Sequence, residues 1–296
     1  MPNQPEESST RRPAILISGC STGIGHACAH GMKKRGWKVF AGVRKDADLD
    51  RLRGEGLDTV LLDVDDSASI HAAVETVLAA TDGHLDALFN NAGFGQPGAV
   101  EDLRRDTMRA QFETNLFGAL ELTNGVLPAM RRQGSGRIVF NSSILGFAAL
   151  PYRGAYNASK FAMEGLADTL RMELAGSGIH VSLIEPGPIR SRFRANAYAR
   201  YRNNVSTRGS YHAEQYAALE KRLTAPESSG GFTQPPEAVL KRLVHAVEHP
   251  RPRPRYYVTL PTYVFGYLRR VLSSRAMDWV LLRSTASERR LPKGTT

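Results

Sequence analysis

The sequence predicts an α/β fold in which helices cover both faces of one parallel sheet, a doubly wound arrangement. Short apolar runs alternate with segments of helical periodicity along most of the 296 residues, a pattern typical of βαβ units. The composition, 42% hydrophobic and 23% charged, is that of a globular domain. A chain of this length can form one large domain around a single core.

Each predicted element rests on a local pattern. Strands are expected at short apolar runs that end in turn-forming residues: residues 14–18 (AILIS), 38–43 (KVFAGV), 59–63 (TVLLD), 85–90 (LDALFN), 137–142 (RIVFNS), 180–185 (HVSLIE) and 255–259. Helices are expected where apolar residues recur at helical spacing: residues 27–35, 67–80, 101–132, 156–175 and 236–248, with a helical tail after Pro261.

The remaining segments divide the chain into three parts. Residues 1–12 are polar and are expected to be a disordered lead-in, residues 13–260 form the α/β domain, and residues 261–296 form a basic amphipathic extension. Within the domain, residues 188–235 are rich in Arg, Asn, Ser and Gly and break the strand–helix alternation. This composition predicts a long mobile insertion that acts as a lid.

Charge and cysteine content exclude several classes of protein. The net charge is +10, but residues 241–296 hold twelve Lys+Arg against three Asp+Glu, and the rest is nearly neutral, which disfavours a nucleic-acid-binding fold. Cys20 and Cys28 are too few for a disulfide scaffold or a CxxC zinc site. The histidines show no HExxH spacing, so no metal is expected. The polar, acid-containing N-terminus is unlike a targeting peptide, which predicts a cytoplasmic protein.

A glycine-rich turn follows the first predicted strand. It contains Gly19, Ser21, Thr22, Gly23, Ile24 and Gly25. Glycines let the backbone turn sharply and approach a pyrophosphate, whose charge the following helix N-terminus stabilises. A merely structural turn is the alternative, but the position after the first strand favours a dinucleotide site.

The Gly-x3-Gly-x-Gly spacing resembles the short-chain dehydrogenase/reductase family. Four further motifs stand in the family's order: Asn90-Asn91-Ala92-Gly93 after the fourth strand, Ser143 after the fifth, Tyr156-Asn157-Ala158-Ser159-Lys160, and Pro186-Gly187 after the sixth. Asn115 lies in the long helix, where the family has another catalytic residue. The resemblance covers about residues 14–191 and implies a Rossmann-type catalytic domain that uses a nicotinamide cofactor.

The resemblance also implies roles for these residues. Tyr156 would be the acid–base, and Lys160, one helical turn later, would lower the pKa of Tyr156 and hold the nicotinamide ribose. Ser143 would bind the substrate oxygen, with Ser142 as the alternative, and Asn115 would anchor a proton-relaying water. Further cofactor contacts are implied for Asp63, Val64, Asn91, Ala92, Gly93, Pro186, Gly187, Ile189 and Ser191.

The end of the second strand favours NADP(H) over NAD(H). An NAD site needs a carboxylate there for the ribose 2′-hydroxyl, whereas an NADP site needs a cation for the 2′-phosphate. Arg44 follows Val43, and no acid precedes Asp46. A guanidinium suits forked phosphate binding, and the Thr22 hydroxyl could add a contact. The alternative is that Arg44 is a solvated loop charge.

The lid and the opening GCSTGIG bear on the substrate. Aromatic residues among the lid arginines suit a bulky lipophilic substrate: Phe193, Tyr198, Tyr201, Tyr211 and Tyr216. GCSTGIG, Val-Arg after the second strand and the C-terminal extension are similar to the hydroxysteroid and retinol dehydrogenase branch and to related bacterial aldehyde reductases. This similarity implies a steroid, retinoid or fatty aldehyde. A catalytically silent NADP(H)-sensing or scaffolding protein is the alternative, which the intact Ser–Tyr–Lys–Asn set disfavours.

Two surfaces predict partners. Helices over residues 101–132 and 156–175 resemble the family's subunit interface, which implies a homodimer or homotetramer. Residues 256–282 are apolar with interspersed arginines, and their longest uncharged stretch is too short to span a bilayer. This segment is either a helix packed over the cleft or a second subunit, or an interfacial helix that contacts anionic lipid.

Overall fold

The computed structural model describes residues 11–225 and 231–286. It contains one seven-stranded sheet in the order β3-β2-β1-β4-β5-β6-β7, with every neighbouring pair parallel. The strands are β1 Ala14–Ile17, β2 Lys38–Val43, β3 Asp58–Leu61, β4 Ala87–Asn90, β5 Gly136–Asn141, β6 Ile179–Glu185 and β7 Arg255–Tyr257. The strand order changes direction between β1 and β4, which confirms the doubly wound fold and leaves a crevice at their carboxyl ends.

Helices cover both faces of the sheet. They are α1 Gly23–Lys34, α2 Asp46–Gly54, α3 Ser67–Ala79, α4 Arg105–Phe112, α5 Gly118–Gln133, α6 Gly154–Glu173, α7 Phe193–Asn204, α8 Ala213–Thr224, α9 Glu237–Glu248, α10 Leu260–Val271 and α11 Ser274–Ser284. One core packs α3, α5 and α6 against the sheet through residues such as Val74, Leu122 and Met163. The other packs α1, α2 and α9 through Met32, Leu52 and Leu243.

The long predicted helix over residues 101–132 is interrupted. A π-helical turn, Glu113–Phe117, separates α4 from α5 and contains the buried Asn115. Such widened turns are often found at functional sites. The sequence pattern predicts no helix over residues 46–54, where the structure has α2. Its first turn carries Asp46 and Asp48, and its only buried residues are Leu49 and Leu52, so its apolar pattern is short.

The lid, residues 188–235, differs from the irregular segment that its composition predicts. It contains α7 and α8, which pack on each other through a small apolar cluster that includes Tyr201, Tyr216 and Leu219. Tyr216 also accepts a hydrogen bond from the Ala99 backbone N–H at 3.0 Å. These contacts tie the helix pair to the domain, and the two helices account for half of the lid residues.

The C-terminal extension forms two helices, α10 and α11, with a break at Leu272 and Ser273. Their inner faces pack against Ile144, Phe147 and Leu150, in the loop that follows β5. No helix in residues 11–225 and 231–286 is long and apolar enough to cross a membrane. Of the predicted lead-in, residues 1–10 lie outside the described residues, whereas Arg11 bonds to Asp86 at 2.6 Å.

Candidate active site

A cavity of about 770 Å³ opens at the carboxyl ends of the strands, between the sheet and the lid. Its walls include all the predicted site residues except Gly25 and Asn115, which lie behind them. Sequence segments as distant as the β1 turn, the Tyr156 helix and the Pro186-Gly187 turn therefore meet in one place. This place is the crevice at which open α/β sheets bind ligands.

The glycine-rich turn closes tightly on the end of β4. Gly19 has φ +71°, and a Cβ there would lie 2.9 Å from the Ala92 Cα. A Cβ on Gly25 would lie 2.3 Å from the carbonyl oxygen of Gly19. Thr22 is the N-cap of α1 but makes no side-chain capping bond, and the first turn holds no acidic residue. The backbone N–H groups of α1 are therefore available to an anionic group in the cavity, which fits a dinucleotide pyrophosphate.

Two residues that carry no sequence signature hold the strand ends together. The Ser18 hydroxyl accepts from the backbone N–H groups of Asn91 and Ala92, each at 3.0 Å. Asn141 donates from Nδ2 to Asn91 Oδ1 at 2.9 Å. Asn91 in turn donates to the Ser18 carbonyl at 2.9 Å. This network fixes β1, β4 and β5 where the cavity begins.

Arg44 lies at the end of the cavity that is formed by the residues after β2 and β3. Its side chain is exposed and lines the cavity beside Thr22, Asp63 and Val64. Within the described part of the chain no carboxylate pairs with it. Lys45, the next residue, does not line the cavity. A guanidinium at this point fits a bound phosphate.

The structure distinguishes Ser143 from Ser142. Both serines are buried and line the cavity, but Ser142 donates its hydroxyl to Glu164 Oε1 at 2.5 Å. Ser143 lies near Tyr156 in the wall of the cavity, and its oxygen accepts from the Leu145 N–H at 3.1 Å. A carbonyl in the cavity can therefore reach the Ser143 and Tyr156 hydroxyls together.

Lys160 and Asn115 lie behind Tyr156. The Lys160 ammonium is 5.8 Å from the centroid of the Tyr156 ring and donates to the Asn141 carbonyl at 2.7 Å. Asn115 exchanges hydrogen bonds with the Phe94 backbone and donates to Ser159 Oγ at 3.1 Å. A Cβ on Gly93 would lie 3.1 Å from Asn115 Oδ1 and 3.9 Å from Lys160 Nζ. Both side chains therefore converge on the glycine that follows β4.

The expected lowering of the Tyr156 pKa by Lys160 is wrong for the free protein. Desolvation raises the pKa of Tyr156 to about 12, and the nearby Ser143 hydroxyl opposes this only in part. Desolvation also lowers the pKa of Lys160 to about 8, against the attraction of Glu164. Tyr156 is therefore a neutral phenol at physiological pH, the form that can donate a proton.

Most of the lid aromatics do not face the cavity, contrary to the prediction. Tyr201 and Tyr216 are buried between α7 and α8, and Tyr198 packs partly against them. Tyr211 is 88% exposed. Only Phe193 lines the cavity, where its ring meets Tyr156 edge-on with centroids 5.4 Å apart. Tyr198, Tyr201 and Tyr216 instead fill the small apolar core between α7 and α8.

A cluster of buried ionisable side chains lies next to the Pro186-Gly187 turn. Glu185, fully buried, precedes it and lies 3.3 Å from Arg255, which also pairs with Glu164 at 3.1 Å and Asp168 at 2.6 Å. The single positive charge of Arg255 is shared among three carboxyl groups, so it does not compensate for the desolvation of Glu185. Burial therefore raises the pKa of Glu185 to about 9.

Comparisons with known proteins agree with this site. A model of the short chain dehydrogenase family matches residues 13–202. The oxidoreductase YbbO of Escherichia coli strain K12 is 44% identical over 268 residues, 90% of this chain and 93% of YbbO. Human 17-beta-hydroxysteroid dehydrogenase type 1 is 34% identical over 84% of this chain and 78% of its own. A short-chain dehydrogenase structure from Streptomyces avermitilis superposes with a TM-score of 0.72 at 27% identity, over 94% of this chain and 98% of its own. The chain therefore belongs to the short-chain dehydrogenase/reductase family of oxidoreductases.

Proposed function

We propose that this protein is an NADP(H)-dependent oxidoreductase that interconverts a ketone or aldehyde and an alcohol on a lipophilic substrate. The observation that carries the proposal is that Ser143, Tyr156 and Lys160 line one cavity. The N-terminus of α1, which has no side-chain cap, lies at the same cavity. When bound, the nicotinamide supplies or accepts the hydride. The protein has to bind the carbonyl and supply the proton.

Each residue of the set has a distinct task in this proposal. Ser143 donates a hydrogen bond to the carbonyl oxygen and orients it toward Tyr156. Tyr156 donates its phenolic proton to that oxygen during reduction and takes it back during oxidation. The Lys160 ammonium stabilises the negative charge that develops on the Tyr156 oxygen as the proton leaves. It can also donate a hydrogen bond to the cofactor ribose. Asn115 holds the Phe94 backbone through two hydrogen bonds. It also anchors the water that relays protons to Lys160.

The cofactor preference is tested at Arg44. Replacement Arg44→Ser removes the charge-assisted contact to a 2′-phosphate, worth about 1.5–3 kcal/mol, so the Kd for NADPH should rise about 10- to 100-fold. The Kd for NADH should stay the same. Lys45→Ser is the matched control, because this neighbouring cation does not line the cavity. Equal loss in both variants, or no loss in Arg44→Ser, would contradict NADP(H) preference.

The walls of the substrate end support a lipophilic substrate with one polar end. Leu145, Leu150, Phe193 and Ala197 supply apolar surface. At the far side the guanidinium of Arg200 lies 4.2 Å above the Phe94 ring. Arg200 is seven residues from Phe193 on α7, about 10 Å along the helix. We propose that Arg200 binds a carboxylate or another polar group at the distal end of the substrate.

Carbonyl substrates of equal length, with and without a terminal carboxylate, test this role of Arg200. The wild type should prefer the acid, and Arg200→Gln should lose that preference through KM. Arg202→Gln is the control, since Arg202 pairs with Glu220 at 3.4 Å outside the cavity. An unchanged preference in Arg200→Gln would remove Arg200 from substrate recognition.

We also propose a homodimer or homotetramer built on the surface of α4, α5 and α6. Phe117, in the π-helical turn between α4 and α5, is 49% exposed and Met172 on α6 is 63% exposed, which leaves apolar surface for a second subunit. Sedimentation analysis should give a mass of at least two chains, and Met172→Glu should shift it toward the monomer. A monomer at micromolar concentration would contradict this proposal.

The outer face of α10 supports peripheral membrane contact. Leu260, Val264, Tyr267 and Val271 are between 44% and 76% exposed, and Arg269 and Arg270 follow on the same helix. Apolar and tyrosine side chains flanked by arginines suit an anionic lipid surface. Because the inner face packs on the loop after Ser143, charge substitution is a cleaner test than deletion. Tyr267→Glu with Val271→Glu should abolish co-flotation with anionic vesicles, and unchanged flotation would exclude this helix.

A further inference from the structure

Three side chains converge on one point of the surface, away from the cavity. His26 and His30 stand on α1, and Glu55 follows α2. The Nε2 atoms of both imidazoles lie 2.7 Å from the same carboxylate oxygen, Glu55 Oε2. The two ring centroids are 4.6 Å apart. Nitrogens of both rings are therefore directed at a common point rather than at separate partners.

The expectation of no metal-ligand spacing overlooks this histidine pair. His26 and His30 are four residues apart on a helix, so they project from one face, which is the same relation that two histidines have in HExxH. Glu55 belongs to the neighbouring segment, and only the fold brings its carboxylate to the pair.

We propose that His26, His30 and Glu55 bind a divalent transition-metal ion of the Zn²⁺ class. Two imidazole nitrogens and one carboxylate oxygen are the donor set of open three-residue zinc sites, with water in the remaining position. Imidazole donors disfavour Mg²⁺ and Ca²⁺, which prefer oxygen. In the described chain this is the only group of three such residues that could hold a metal.

A small movement of these side chains would make room for the ion. All three ligand atoms lie within 4.8 Å of one another, and a tetrahedral zinc site separates its ligand atoms by about 3.3 Å. Rotation of the partly exposed imidazoles away from the oxygen that they share would provide that separation. The side chains are 35%, 30% and 29% exposed, so an ion can enter from solvent and keep a water ligand.

Neighbouring groups define the site further. Arg51 donates to the other carboxylate oxygen, Glu55 Oε1, at 2.7 Å, which leaves Oε2 to face the imidazoles. A second bond from Arg51 reaches the Ser21 carbonyl at 2.7 Å, in the glycine-rich turn. The thiol of Cys28, although on the same helix, is fully buried and does not take part. The site is thus separate from the cavity but joined to it through one arginine.

A second histidine pair in the chain provides a matched control. His245 and His249 also stand four residues apart, with parallel rings whose centroids are 4.3 Å apart. Their Nδ1 atoms bond to different partners, Tyr256 Oη at 2.9 Å and the Arg251 carbonyl at 2.8 Å. No carboxylate in the described residues joins this pair, so it lacks the convergent third ligand.

The test is titration of the full chain, free of any histidine tag, with Zn²⁺ by calorimetry and with Co²⁺ by visible absorption. We expect one equivalent per chain, and a Kd at least about tenfold weaker in His26→Gln/His30→Gln. Glu55→Gln should also weaken binding, whereas His245→Gln/His249→Gln should not. The absence of stoichiometric binding, or equal binding by the His26→Gln/His30→Gln variant, would overturn the proposal and leave a hydrogen-bonded triad only.

Discussion

At the scale of single residues, burial sets the properties of the two ionisable groups next to the cavity. Desolvation raises the pKa of Tyr156 to about 12 and lowers the pKa of Lys160 to about 8. At neutral pH the phenol keeps its proton and the lysine is mostly charged. Both states suit the reduction of a carbonyl, because the phenol has to give up a proton next to a cation.

The pH dependence of reduction follows from Lys160. Its pKa is lowered in the folded protein, so the ammonium is present below about pH 8 and lost above it. We expect kcat/KM for carbonyl reduction to be flat below about pH 7.5 and to fall above about pH 8, since this parameter reports ionisation of the free enzyme. In Lys160→Arg, the residual activity should lack this decline. A wild-type profile that stays flat to pH 10 would contradict the role of the ammonium.

The candidate site could be predicted from sequence only where its residues belong to motifs. The glycine-rich turn, Ser143, Tyr156 and Lys160 meet in the cavity because motif and fold agree. Ser18 and Asn141 were missed because each acts through hydrogen bonds to segments that are distant in sequence. The direction of the Tyr156 pKa shift was missed for a similar reason, since desolvation depends on everything that packs around the side chain.

At the scale of elements, the lid shows how a polar sequence can conceal helices. Most of α7 is Arg, Asn and Tyr, yet Ala197 and Tyr201 are buried four residues apart. In α8, Tyr216, Leu219 and Leu223 are buried at three- and four-residue spacing. That spacing was a signal for helices, but the high polarity of the segment obscured it.

Loosening the lid should affect substrate binding more than cofactor binding. Leu219 is 3% exposed in the α7–α8 cluster and does not line the cavity. Leu219→Ala removes about 2–5 kcal/mol of packing, so we expect a severalfold higher substrate KM and faster proteolysis in residues 188–235. The Kd for NADPH should stay close to wild type.

Leu243→Ala separates this effect from a general loss of stability. Leu243 is buried on α9, in the core on the other face of the sheet. The Leu243→Ala variant should have a lower Tm than wild type and the same substrate KM. If both variants raised KM alike, the helix pair would have no specific part in binding.

At the scale of the whole molecule, the sheet order and the two cores follow the pattern of alternating apolar runs. What the sequence could not predict is the cluster of Arg255, Glu164, Asp168 and Glu185, which joins β7, α6 and β6. Arg255 lies 91 residues from Glu164, and no local pattern pairs them. This cluster ties the C-terminal strand to the floor of the site.

The buried Glu185 gives the whole fold a pH dependence. Because its pKa is raised from 4.5 to about 9, the folded protein holds a proton that the unfolded chain releases. The contribution of Glu185 to the free energy of unfolding is complete below about pH 4.5. It declines as the pH rises toward 9, by up to about 1.4 kcal/mol per pH unit. Glu185→Gln cannot lose this proton, so its Tm should match wild type near pH 5 and exceed it at pH 8.5.

Glu248→Gln is the control with the opposite sign. Hydrogen bonds from Arg35 and Trp37 lower the pKa of Glu248, so this carboxylate stabilises the fold at neutral pH and the effect fades as the solution is acidified. The variant should therefore be less stable than wild type at pH 7. A Glu185→Gln variant that is destabilised most at high pH would show that Glu185 is ionised in the folded state.

The central proposal is tested most directly by NADPH oxidation with long-chain aldehydes, retinal and ketosteroids, run in parallel on wild type and Tyr156→Phe. NADPH binding is measured on both proteins by fluorescence. Wild type should oxidise NADPH with at least one carbonyl, and Tyr156→Phe should be at least about 100-fold slower with an unchanged Kd for NADPH. Equal rates in the two proteins would remove Tyr156 as the proton donor. NADPH binding without turnover of any carbonyl would contradict the proposed activity and favour a silent NADP(H)-sensing protein on this fold.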